Sequence, residues 1–193
     1  MSRFRLGLTA MQKYLDLHAG RITLREFEIW LYNATELEEI LPRDDYIDLL
    51  ALDYSNRKSR YEIFAILDRY MDWPLLDTLE LTGLLESVAR RDDDVASRLV
   101  RIYDLYCAGY YFLQKLALDY ALGITYPGSR YHAKQWEDLT EAQQKEMLDG
   151  FYPSVREEAQ QVLGRLNSGA IVLTGRSKAG SLDTPRTYVE RHG

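Results

Sequence analysis

Trp73-Pro74-Leu75-Leu76-Asp77-Thr78-Leu79-Glu80-Leu81-Thr82-Gly83-Leu84-Leu85-Glu86-Ser87-Val88-Ala89-Arg90-Arg91-Asp92-Asp93-Asp94 decides the fold class. The residue before a proline is pushed out of the helical region, so Trp73-Pro74 marks a boundary. Leu75, Leu76, Leu79, Leu81, Leu84, Leu85 and Val88 then give a strongly apolar helix. Arg90 and Arg91 place positive charge at its C-terminus, and Asp92-Asp93-Asp94 place negative charge at the start of the next helix, as the helix dipole favours. That next helix is expected to be the longest, from about Val95 to Leu122, with Gly123 as its stop.

Upstream, helix starts recur. Thr23-Leu24-Arg25-Glu26 has the form of a capping box, and Phe27, Trp30 and Leu31 follow at helical spacing. Thr35-Glu36-Leu37-Glu38 offers a second cap pair, with Pro42 limiting that helix to a turn or two. Asp44 or Asp45 caps a helix bearing Ile47, Leu49, Leu50 and Leu52, broken at Ser55-Asn56. A further helix runs from Ser59 to about Asp72 through Tyr61, Phe64, Ile66 (or Ala65) and Leu67. Downstream, 123–139 reads as a loop turning at Tyr126-Pro127-Gly128-Ser129. Thr140-Glu141-Ala142-Gln143 and Ser154-Val155-Arg156-Glu157 introduce two short amphipathic helices, closed by Gly150 and Gly169.

Only the tail changes character. Ala170-Ile171-Val172-Leu173-Thr174 is β-branched and bounded by glycines, and Arg186-Thr187-Tyr188-Val189-Glu190 alternates enough to be the returning strand. With no linker, repeat or low-complexity tract, the chain reads as one mainly α domain over 1–193. Its helical bundle covers 1–168 and a small C-terminal β-hairpin covers 169–193. A two-stranded hairpin is marginal alone, so it must dock on the helices or pair with something else.

The 193 residues are 46% hydrophobic and 28% charged, as in a folded globular protein. A chain this long buries roughly 70% of its extended surface and needs no disulfide or structural metal. Cys107 is the only cysteine, which excludes an internal disulfide and fits a reducing compartment. The N-terminal residues lack the apolar run of a signal peptide, and no stretch approaches a membrane span, so a bacterial-type cytoplasmic location is expected.

Charge is concentrated. The net charge is −6, and the stretch from Glu36 to Asp53 accounts for all of it. Glu36, Glu38, Glu39, Asp44, Asp45, Asp48 and Asp53 are opposed there only by Arg43. Such a distribution argues against nucleic acid as the main partner, since phosphate binders carry a basic excess or stripe.

Catalytic signals are weak. His18, His132 and His192 are unpaired at i+3 or i+4, and a single cysteine assembles no zinc motif, so no metal or other cofactor is expected. Asp44, Asp45 and Asp48 cluster without a companion histidine. Cys107, within an apolar helix, reads as a buried structural thiol. Gly175-Arg176-Ser177-Lys178-Ala179-Gly180 follows a strand but opens no helix, so it reads as a hairpin tip rather than a phosphate loop. The chain is expected not to be an enzyme.

Tyrosine is abundant, with fifteen against five phenylalanines. Tyr103, Tyr106 and Tyr110 share one face of the expected long helix, either as a half-exposed packing face or as the wall of a ligand cleft. In the acidic block, Tyr46 and Tyr54 interrupt the carboxylates, a mix suited to a basic protein surface.

The acidic helical stretch Asp44-Asp45-Tyr46-Ile47-Asp48-Leu49-Leu50, on a small disulfide-free helical scaffold, resembles the immunity proteins of bacterial toxin systems. Those proteins neutralise a cognate, often basic, nuclease toxin by presenting acidic and tyrosine residues. The resemblance implies a partner-binding face made of Tyr46, Tyr54 and the surrounding acids, and a toxin domain as partner. Two alternatives stay open: a sensor or enzyme with a cleft at Tyr103, Tyr106 and Tyr110, and a homo-oligomeric subunit pairing through its C-terminal strands.

Overall fold

A computed structural model describes residues 5–176 and 185–191. The chain is mainly α-helical with a small antiparallel C-terminal hairpin. It divides into two compact units at the step from Asp72 to Trp73.

The first unit contains α1 (Leu8–His18), α2 (Leu24–Leu31), α3 (Thr35–Ile40), α4 (Arg43–Leu50) and α5 (Ser59–Leu67). Thr23 caps α2 as its sequence predicts. The Glu26 amide donates to Thr23 Oγ1 at 3.2 Å, and the Thr23 amide donates to the Glu26 carboxylate at 2.7 Å. Met11, Leu17, Phe27, Leu31, Leu37, Leu49, Ile63 and Leu67 form the core of this unit. Arg60 of α5 closes the C-terminus of α1, donating to the carbonyls of Leu17 and His18 at 2.5 and 2.8 Å. Three local expectations change. Ile63 takes the core place expected of Tyr61, which is exposed, and Ile47 of α4 is exposed as well. The last predicted helix ends at Leu67 and continues only as a 3-10 turn over Asp68–Tyr70.

The second unit contains α6 (Trp73–Arg90), α7 (Val95–Cys107), a π-helical turn (Leu116–Ala121), α8 (Leu122–Thr125), α9 (Gly128–Tyr131), α10 (Glu141–Phe151) and α11 (Ser154–Asn167). The strands β1 (Ile171–Arg176) and β2 (Arg186–Glu190) complete it. Alpha-helix α6 is its centre, packing against α7, α11 and β1. Leu81, Leu85, Val88, Leu99, Ile102, Leu113, Val155 and Ile171 lie in the resulting core. Arg91 ends α6 in the left-handed region at φ 61°. The Asp92 amide then reaches the Ser87 carbonyl and the Arg91 amide that of Val88, a Schellman closure.

The helix expected over 95–122 is broken. It ends at Cys107, and Gly109, at φ 123°, closes α7 by the same pair of bonds, Tyr110 to Leu105 and Gly109 to Tyr106. The expected loop over 123–139 is partly helical, holding α9 and a 3-10 turn at Trp136–Asp138. Thr140 caps α10 as expected, with Gln143 returning the bond. Ser154 and Thr35 instead lie one residue inside their helices, behind Pro153 and Ala34, and cap nothing.

Strands β1 and β2 pair in the order Ile171↔Glu190, Val172↔Val189, Leu173↔Tyr188, then slip so that Gly175 faces Thr187. Thr174 is the extra residue of this bulge. The predicted tip between the strands, including the Gly175–Gly180 motif beyond Arg176, and His192 lie outside the described residues.

Candidate functional site

Helices α3 and α4 are both short because Pro42 separates them, and the acids cluster on and around them. Glu36, Glu38, Glu39, Asp44, Asp48 and Asp53 are exposed. Asp44 and Asp45 occupy the first turn of α4, where the helix dipole favours negative charge. Asp53 lies in the turn that follows, accepting from the Ser55 hydroxyl at 2.6 Å and the Ser55 amide at 3.0 Å. These bonds hold its carboxyl below the usual carboxylate range.

Asp45 differs from its neighbours. Its carboxylate accepts from Arg69 at 2.9 Å and from the Tyr70 hydroxyl, and it is only 15% exposed. Burial, then this bond to Asp45, raises the Tyr70 phenol. Tyr46 is half-buried. Tyr54 is buried, its ring stacked on Phe27 and its hydroxyl donating to the Leu49 carbonyl at 2.7 Å. Burial raises its phenol strongly. The structure therefore brings six carboxylates to the surface, ties Asp45 into the fold and places Tyr54 in the core.

Three large apolar residues close to the acids in sequence are exposed, which sequence periodicity did not reveal. Ile29 on α2 is 53% exposed, Tyr32 at the end of that helix 57%, and Ile47 on α4 47%. The Tyr32 hydroxyl donates to the Leu50 carbonyl at 3.4 Å. Ile29 falls off the Phe27–Trp30–Leu31 stripe, which was the available signal. Ile47 gave none, because it counts as an ordinary apolar position in its helix.

The three tyrosines of the alternative cleft do not form one stripe. Tyr103 and Tyr106 are half-buried on α7, with ring centroids 6.5 Å apart. Tyr110 follows the break at Gly109, is fully buried and donates to Asp77 at 2.7 Å. Tyr111 takes the neighbouring surface place, 5.8 Å from Tyr106. Cys107, expected to be buried, is exposed because it ends α7 rather than lying in mid-helix. The Tyr103 phenol is raised chiefly by its bond to that thiol.

Asp77 belongs to a charge network invisible to local sequence reading. Arg186 Nη1 donates to Asp77 at 2.8 Å and to Glu80 at 3.2 Å, while Arg101 Nε donates to Glu80 at 2.7 Å. The network fixes β2 against α6. Among the described residues no three His, Cys, Asp or Glu side chains gather to hold a metal ion. No helix among them is long and apolar enough to cross a membrane.

Comparison with known protein families, characterised proteins and solved structures finds no match to this chain.

Proposed function

We propose that this chain is a non-enzymatic protein-binding protein that docks a basic protein partner on the acidic face of α3 and α4, acting as a toxin-neutralising immunity factor. The reading is carried by the exposure of Glu36, Glu38, Glu39, Asp44, Asp48 and Asp53 with only Arg43 opposing them within that stretch. Uncompensated surface charge steers an oppositely charged partner and speeds encounter. Neutralisation would follow from occlusion: the acidic face covers a cationic cleft and excludes its substrate. The immunity class itself rests on the resemblance of the Asp44–Leu50 stretch. Attraction of this kind weakens with salt, because the Debye length falls below about 10 Å above 0.1 M.

The test is growth protection against the product of any toxin-like gene found to neighbour its own. The wild-type chain should protect, and the folded D44K/D48K variant should lose protection and capture of that product. Protection and capture unchanged by the double reversal would overturn the acidic face as the binding site.

A further inference from the structure

A cavity of about 380 Å³ opens in the first unit, where the end of α1, the start of α2 and the start of α5 meet. Leu17, buried near the end of α1, and the half-buried Ile22 and Leu24 give it apolar walls. Arg57, Arg60 and Tyr61 give it a charged and aromatic side. Its volume is at the small end of the range for ligand sites, and apolar walls with a few polar groups are their usual make-up. Arg57, Lys58 and Arg60 place three cations within four residues, shortly after the acidic stretch ends.

The two arginines stand differently. Arg60 is fixed, because its Nη2 donates to the Leu17 and His18 carbonyls at 2.5 and 2.8 Å. Its Nε and Nη1 bond to nothing among the described residues. Arg57 is exposed, and its side chain has no partner among the described residues. The acids close in sequence to these elements are mostly engaged: Asp16 pairs with Arg21, Glu28 with Arg25, and Asp53 accepts from Ser55. Glu26 takes the amide and hydroxyl of Thr23, so the N-terminus of α2 adds little positive potential. Glu62 lies two residues beyond Arg60, about 200° around α5 from it. We infer that this cavity binds a small organic monoanion, a carboxylate carrying a compact apolar body. Arg60 spends two donors on the negative end of α1, which leaves Arg57 as the one uncompensated cation and favours a single negative charge. The carboxylate is held by Arg57 and the free donors of Arg60, while the body lies on Leu17, Ile22 and Leu24 beside the Tyr61 ring. This site is independent of the acidic face.

The probe is 3-phenylpropionate, titrated against the full chain and followed by amide chemical shifts. Saturable shifts should centre on Ile22, Leu24 and Tyr61. Acetate, which lacks the apolar body, should bind at least about tenfold more weakly. Neutral 3-phenylpropanamide should also lose at least about tenfold, since it offers the arginines no charged acceptor. R57Q, at an exposed position, should weaken the carboxylate about tenfold and leave the amide unchanged. Absence of saturable binding, equal affinity for carboxylate and amide, or affinity unmoved by R57Q would overturn the site. Tighter binding of phenyl phosphate or inorganic phosphate than of 3-phenylpropionate would overturn the singly charged carboxylate as its ligand.

Discussion

Arg186 of β2 donates to Asp77 of α6 at 2.8 Å, and the two side chains are only 9% and 3% exposed. Asp77 also accepts from Tyr110 at 2.7 Å, so both carboxylate oxygens are engaged. Removing one partner of such a pair leaves the other charge buried with weaker compensation, Glu80 at 3.2 Å for Arg186 and the Tyr110 hydroxyl for Asp77. R186A or D77A should each destabilise the second unit by about 3–5 kcal/mol, measured by urea denaturation. R186M/D77L should cost well under the sum of the single changes, because the apolar pair removes both desolvated charges together.

Two glycines should respond in opposite directions to the same substitution. A Cβ on Gly109 would lie 2.6 Å from the Arg186 carbonyl oxygen, on backbone already at φ 123°. G109A should lower the melting temperature, since neither the strand nor the turn can yield without disturbing the Arg186 network. Gly83 sits inside α6 with nothing within 4 Å of its added Cβ. G83A should raise stability by up to about 1 kcal/mol through helix propensity alone. Paired thermal melts check both.

The break at Gly109 shows where sequence reading stopped. Apolar periodicity runs through both sides of it, so 95–122 reads as continuous, and the glycine is demanded by a strand that arrives from far along the chain. The same distance hides the Asp77–Arg186 pair. Local chemistry was readable where it is complete within a few residues, as in Thr23–Glu26 and Thr140–Gln143. The hairpin was readable from its β-branched runs. The acids of 36–53 were legible as a charge excess, while the tertiary ties of Asp45 to Arg69 and Tyr70, the burial of Tyr54 and the exposure of Ile29 and Ile47 depend on helix orientation.

Alkaline pH should unfold the chain through its buried phenols. Burial, then the Asp77 charge, raises Tyr110 strongly, and burial likewise dominates at Tyr54. The fold thus favours the neutral phenol. Its contribution to stability is fully present below the ordinary tyrosine value of about 10 and is lost as pH rises from there towards the folded-state value. Spectrophotometric titration should show a late tyrosinate phase coinciding with loss of helical circular dichroism. Y110F should remove part of that phase, and at neutral pH it should cost about 1.5–3 kcal/mol for the bond to a charged acceptor.

Asp45 separates a folding role from a binding role within one acidic block. Asp44 and Asp48 are exposed, whereas Asp45 accepts from both Arg69 and Tyr70 beyond the end of α5. Arg69 is itself half exposed, so solvent screens its attraction, and the phenol bond is the larger loss. D45A should therefore destabilise the first unit by about 1–2 kcal/mol, seen as a lower urea midpoint. D44A and D48A should each change that midpoint by less than about 0.5 kcal/mol, as exposed substitutions do. Partner association should follow the opposite order: D44K and D48K should slow it in low salt, with the loss shrinking as salt rises. D45N, which keeps the shape and one acceptor oxygen, should change the association rate less than either reversal, so stopped-flow measurements across a salt series distinguish the two roles.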